Sequence, residues 1–238
     1  MSKLFAVLTT RVKIIEDGLG INKPLDIMKI DDYQELTKAY ILLIHSELEK
    51  YFEVMSVKII KDCYSTYKKN GIIKKPLLSL ASTNIYIISK PESFSDDKRK
   101  EDISLAKRIS NCVSKFINIA KGNNGIKHKD VFALYWNLGF SEDEIGKSLL
   151  LMLDDFSSKR GKIAHTGSIF NKTILNYDVE KKSVSNIIME LEKFDKVIED
   201  TGYLNEDSNI TEIENILFSS SDFSKGQTDS KELVIAQG

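Results

Sequence analysis

Apolar residues recur at three- and four-residue steps along most of this chain, the spacing of an amphipathic helix rather than a strand. From Asp31 to about Lys69 neither Pro nor Gly intervenes. Ile41, Ile44, Leu48, Phe52, Met55 and Ile59 keep the period there, which predicts one long helix closed by Asn70-Gly71. Asp96–Lys121 repeats the pattern through Ile103, Ala106, Ile109, Val113, Phe116, Ile117 and Ala120, and a Gly122-Asn123-Asn124-Gly125 turn ends it. A shorter helix follows at His128–Leu138. Ser141-Glu142-Asp143-Glu144 then has the form of a capping box, predicted to start a helix whose stripe runs through Leu149, Leu153, Phe156 and Ile163. After a loop or edge at Ser168–Tyr177, Asp178 starts the last long helix, with Val184, Ile187, Leu191, Phe194 and Ile198 inward and Thr201-Gly202 at its end; it should pack beside the first.

Two stretches carry a weaker pattern. Residues 1–30 hold short apolar runs broken by Gly18, Gly20 and Pro24, and read as a short helix or an arm. Residues 72–95 hold an apolar segment bracketed by Pro76 and Pro91, a short helix with a strand as the competing reading. The aromatic residues, Trp136 included, fall at helical spacing and read as core rather than as a base-stacking platform.

The pattern predicts an all-α up-and-down bundle with long first and last helices. At 238 residues the chain can bury one substantial core: residues 1–30 as an arm, 31–202 as the helical domain, and 203–238 as an acidic, mostly disordered tail with a short apolar turn at Ile210–Phe218. The net charge of −1 is uneven. The tail has seven acidic and two basic residues, leaving +4 on residues 1–202, a mild excess that suits a nucleic-acid partner. The tail could shield that basic body or bind a partner. Cys63 and Cys112 lack metal-ligand spacing, so no zinc site or disulfide framework is indicated. With no signal peptide or membrane-length apolar run, the expectation is a cytoplasmic protein without a membrane partner.

Candidate chemistry concentrates at Lys159-Arg160-Gly161-Lys162-Ile163-Ala164-His165, in a chain with only three histidines. Arg160 lies on the apolar stripe, four residues after Phe156 and three before Ile163, so its charge needs a partner or a ligand. His165 follows about 140° around a regular helix. The two could converge if Gly161 loosened the turn, if the arginine reached around, or if a second copy supplied its own pair across a two-fold axis; the last is preferred. Glu47 and Glu49 lie near the stripe of the first long helix. His128, between two lysines, reads as a solvated surface residue. No paired catalytic carboxylates, nucleophile elbow, phosphate-cradling glycine loop or metal cluster offers a competing enzyme class.

Arg160-x4-His165, followed by Gly167 and led in by an apolar helix, resembles the Arg-x4-6-His signature of HEPN domains, most like the RiboL-PSP branch. That resemblance implies a small all-α domain, homodimeric, acting as a metal-independent and cofactor-free endoribonuclease of a toxin or defence system. Arg160 and His165 would be the catalytic pair, His165 moving protons and Arg160 stabilising phosphoryl charge, to leave a 2′,3′-cyclic phosphate and a 5′-hydroxyl. An early-helix carboxylate would support the arginine. Glu49 aligns best by its place before Tyr51-Phe52, whereas Glu47 borders the stripe more closely. Alternatively both are solvated and Glu49 merely pairs with His45 at i,i+4. Lys159 and Lys162 are candidates for holding the RNA backbone, with solvated lysines as the plain alternative. The implied partners are RNA, tRNA included, a second copy, and an antitoxin or sensor protein. Gly161 departs from the family, which commonly has a polar residue there. The rival reading is a non-catalytic helical module that binds a partner protein or nucleotide.

Overall fold

A computed structural model describes residues 1–20, 30–85, 105–165, 174–205, 211–213 and 215. Every regular element among the described residues is a helix: α1 (Lys3–Leu19), α2 (Ile30–Asn70), α3 (Lys75–Ile85), α4 (Leu105–Lys121), α5 (His128–Asn137), α6 (Glu142–Ile145), α7 (Lys147–His165) and α8 (Tyr177–Asp200). The fold is all-α, as the periodicity predicts. The segment around Pro91, the start expected for α4 at Asp96, most of Ser168–Tyr177, and most of the tail with its Ile210–Phe218 turn lie outside the described residues.

α2 is the spine. Its 41 residues span about 60 Å, and it packs against every other described helix except α6. Residues 51–60 are buried on all sides, so the stripe widens into a fully enclosed segment where α1 and α8 close one flank and α4, α5 and α7 the other. Phe52, Tyr135, Phe140 and Phe194 meet edge to face at this crossing. Each such fully buried large side chain contributes about 2–3 kcal/mol through area removed from water. Gly71 ends α2 at a φ of +70°, as expected of a C-terminal glycine.

Three details differ from the sequence reading. First, the segment read as a short helix or an arm carries the 17-residue α1, whose Leu4, Phe5, Leu8, Val12 and Ile15 enter the common core against α2 rather than standing apart from it. Second, the Ser141 capping box forms, with Ser141 Oγ accepting from Glu144 N–H at 3.2 Å, but it starts only the four-residue α6. Gly146, at a φ of +100°, breaks the helix, and α7 begins anew at Lys147. Third, Trp136 is 52% exposed and rests beside Phe132, so it is no part of the core. The apolar segment after Pro76 is helical as far as Ile85, which decides between its two readings over that length. Asn176 caps α8 by accepting from the N–H groups of Asp178 and Val179, one residue earlier than the expected start.

Candidate active site

α7 runs against α2 and α5 and carries Arg160 toward a cleft of about 740 Å³, bounded by the α4–α5 loop, by α5 and by α7. Leu149, Leu153 and Phe156 are fully buried and fix the rotation of α7 about its axis, which leaves Arg160, one turn after Phe156, half-buried at the edge of the core. Across from it stands His45 of α2, 2% exposed, with Nε2 3.4 Å from Ser157 Oγ and Nδ1 3.9 Å from Glu49 Oε2. Burial, reinforced by the positive charge of Arg160, lowers the His45 pKa from 6.5 to about 4. His45 is therefore neutral near pH 7, and its approach to Glu49 is not an ion pair.

Two carboxyl groups follow His45 at successive turns of α2. Burial raises the Glu49 pKa, with Arg160 pulling it back and Asp130 adding to the rise. Deeper, Glu53 is 6% exposed and is pushed from 4.5 to about 7 by burial, against a hydrogen bond from Asn123 and with the help of Glu49. Asn123 Nδ2 donates to Glu53 Oε1 and to the Gly125 carbonyl, both at 3.0 Å, which ties the α4–α5 loop to the middle of α2. Gly125 lies close to α5: a Cβ there would lie 2.6 Å from Asp130 Oδ2, which accepts from Lys127 N–H, so a side chain would have to displace that carboxylate.

The structure separates the two candidate glutamates. Glu47 pairs with Arg11 of α1 at 2.9 Å, while Glu49 stands in the field of Arg160. Lys159 meets both carboxylate oxygens of the buried Glu180, at 3.2 and 3.1 Å, a link between α7 and α8; Lys162 is exposed, and neither lysine lines the cleft. His128 is 37% exposed, with Nε2 2.9 Å from Glu142. His165 is the last residue of α7, and its side chain lies outside the described residues. The helix continues unbroken through Gly161, so the backbone of His165 follows Arg160 by about 140° and about 7.5 Å along the axis. Sequence reasoning passed over the cleft position of His45 and the Asn123–Glu53 link. Only the Gly-Asn-Asn-Gly turn signalled the loop, and nothing in it named Glu53 as the partner 70 residues away.

A family model for RiboL-PSP-HEPN matches residues 7–200, from the first turns of α1 to the last residue of α8. The chain belongs to the RiboL-PSP-HEPN family. HEPN domains are commonly ribonucleases, which gives this RiboL-PSP-HEPN chain an RNA-related, nuclease-type function in general outline. No curated protein and no solved structure matches it. No described helix is long and apolar enough to cross a membrane.

Proposed function

We propose that the chain is an endoribonuclease that needs no metal, with Arg160 and His165 as its catalytic pair. The observation that carries this reading is the family match over a chain whose Arg160-x4-His165 lies at the end of α7, with Arg160 opening to a cleft. RNA brings its own nucleophile. A base removes the proton from the 2′-hydroxyl, the 2′-oxygen attacks phosphorus, the bond to the 5′-oxygen breaks, and an acid protonates that leaving oxygen. A 2′,3′-cyclic phosphate and a 5′-hydroxyl result. His165, with a reference pKa near 6.5, is suited to the proton transfers, and the guanidinium fork of Arg160 to the charge growing on the phosphoryl oxygens. Glu49, one turn from His45 and within the field of Arg160, is the carboxylate suited to support that guanidinium.

The angular offset between Arg160 and His165 supports a composite site formed by two copies, each giving its arginine toward the other's histidine. A toxin or defence effector held in check by a protein partner fits this activity, with tRNA among the substrates. The test compares the wild type with His165→Ala for growth arrest on induction and for cleavage of total RNA in EDTA. Cleavage by the wild type alone, ending in cyclic phosphate, is the expected result, with a loss on the order of a hundredfold or more in the variant. Two inert proteins of equal fold and assembly would leave the non-catalytic binding module as the better account.

A further inference from the structure

The lysines that line the cleft are not the ones nearest the Arg160-x4-His165 stretch in sequence. Lys127 and Lys129, at the end of the α4–α5 loop and the start of α5, border the same cavity as Arg160, and both are exposed. Neither forms an ion pair among the described residues, in contrast to Lys159, which is held by Glu180. Asp130, the one carboxylate on the lining, already accepts Lys127 N–H and closes on Gly125, and His45 is neutral, so cations exceed anions at the wall by three to one. Beside the charges, Ile119, 51% exposed on α4, and the exposed Ala133, one turn after Lys129 on α5, add apolar surface to the lining. The loop between them is fixed, through Asn123, to Glu53.

We infer that this cleft is the subsite for an unpaired RNA strand, with Lys127 and Lys129 holding the phosphates that flank the one at Arg160 and a base lying against Ile119 and Ala133. The inference rests on the nuclease reading for the role of Arg160, and it goes further by naming the substrate's form and the residues that hold it. A volume of about 740 Å³ lies within the range of small-ligand pockets and accommodates a nucleotide or two with bases turned out. A duplex keeps its bases stacked inside and would offer the cleft only its outer phosphates. Exposed lysines on a rigid loop give sequence-tolerant, salt-sensitive holding, and the apolar surface gives preference for a free base.

The test uses the wild-type chain and a labelled twelve-nucleotide RNA carrying 2′-O-methyl groups, which blocks attack by the 2′-oxygen, measured by fluorescence anisotropy across a salt series. The single strand should bind at least tenfold more tightly than the same strand in a duplex. Lys127→Ala/Lys129→Ala should weaken single-strand binding about tenfold or more and lower the salt slope by about 1.4, the value for two phosphates on a single strand. Ala133→Glu, which places a carboxylate on an exposed position of the wall, should weaken it comparably. As a control that removes equal charge, Lys193→Ala/Lys196→Ala on the exposed face of α8 should change neither quantity. Affinity and slope equal to the control in the cleft variants, or equal binding of duplex and single strand, overturns the subsite, even if the wild type still cuts unmodified RNA and the nuclease reading stands. Lysine-dependent binding without any cleavage would keep the subsite and sink the nuclease; no binding and no cleavage would remove both.

Discussion

Two clusters of buried polar side chains sit on opposite flanks of α2, and they are built on opposite principles. On the α1–α8 flank, Asp195 is fully buried and fully matched: Oδ2 accepts from Ser2 N–H at 2.7 Å, and Oδ1 accepts from Ser2 Oγ at 2.5 Å and from Tyr51 OH at 2.9 Å. On the cleft flank, His45, Glu49 and Glu53 share few partners and their pKa values are displaced chiefly by burial. A buried carboxylate with donors on both oxygens holds a fold together. A buried ladder of titratable groups beside an arginine and an open cleft costs stability, and such costs cluster where a ligand is handled. Polar burial by itself therefore identifies nothing; the state of satisfaction does.

The sharpest way to break the comparison is to remove one negative charge from each flank without changing shape. Asp195→Asn replaces one acceptor oxygen by an NH2 group. With its oxygen kept on Ser2 N–H, that group faces the Ser2 and Tyr51 hydroxyls, which must turn to accept from it and give up the charge-assisted bonds they now donate in a dry site. The expected cost is about 3 kcal/mol, read from urea or thermal unfolding, with cleavage per folded molecule retained. A loss under about 1 kcal/mol would show that the network is ornamental and that the contrast between the flanks is false.

Glu53→Gln is the matched change on the cleft side, and its sign is opposite. The amide oxygen of Gln can still accept from Asn123, so the loop keeps its anchor. In the wild type the folded-state pKa of about 7 exceeds the unfolded value of 4.5. The proton-bound form is favoured by folding, so this contribution is complete below pH 4.5 and disappears as pH rises through 7, by at most about 3 kcal/mol. His45 runs the other way. Its folded pKa of about 4 lies below 6.5, so stability is complete above pH 6.5 and falls as pH drops toward 4. The two slopes offset each other between pH 4.5 and 6.5. Glu53→Gln should raise stability by about 1–3 kcal/mol at pH 8, change it little at pH 4, and expose the His45 decline below pH 6.5. Denaturant midpoints across that range decide it, and an unchanged profile would show that Glu53 is not the titrating group.

The same contrast explains what the sequence made legible. Ile41 to Ile59 in α2 and Val184 to Ile198 in α8 repeat at 3.6 residues, and their burial follows from that period alone. α1 carries the period too, in Leu4, Phe5, Leu8, Val12 and Ile15, but the breakers Gly18, Gly20 and Pro24 drew the reading toward an arm; its docking depends on a groove formed by distant segments. The break at Gly146 was hidden because a capping box marks where a helix starts and carries nothing about its length. At the site, Arg160 was legible from the stripe, whereas the stripe pointed to Glu47 and only the family resemblance pointed to Glu49. Lys127, Lys129 and the Asn123–Glu53 anchor were not legible, since they reach the cleft only through the packing of α4 and α5 on α2.

The smallest expected effect concerns Gly161, the departure from the family pattern, which lines the cleft beside Arg160. The helix passes through it without interruption, and a Cβ there meets nothing within 4 Å. Nothing within the described chain requires a glycine, whereas a glycine inside a helix costs about 0.5–1 kcal/mol relative to alanine, largely through the freedom of the unfolded chain. Gly161→Ala should therefore stabilise by about that amount in thermal or urea unfolding and leave cleavage within about twofold. A stabilised variant that loses cleavage would mean that the space above Gly161 is filled in the working enzyme by RNA or by a second copy, and would move the glycine from a tolerated defect to part of the site. A variant that is destabilised would contradict the regular helical turn that joins Arg160 to His165, and with it the offset on which the two-copy arrangement depends.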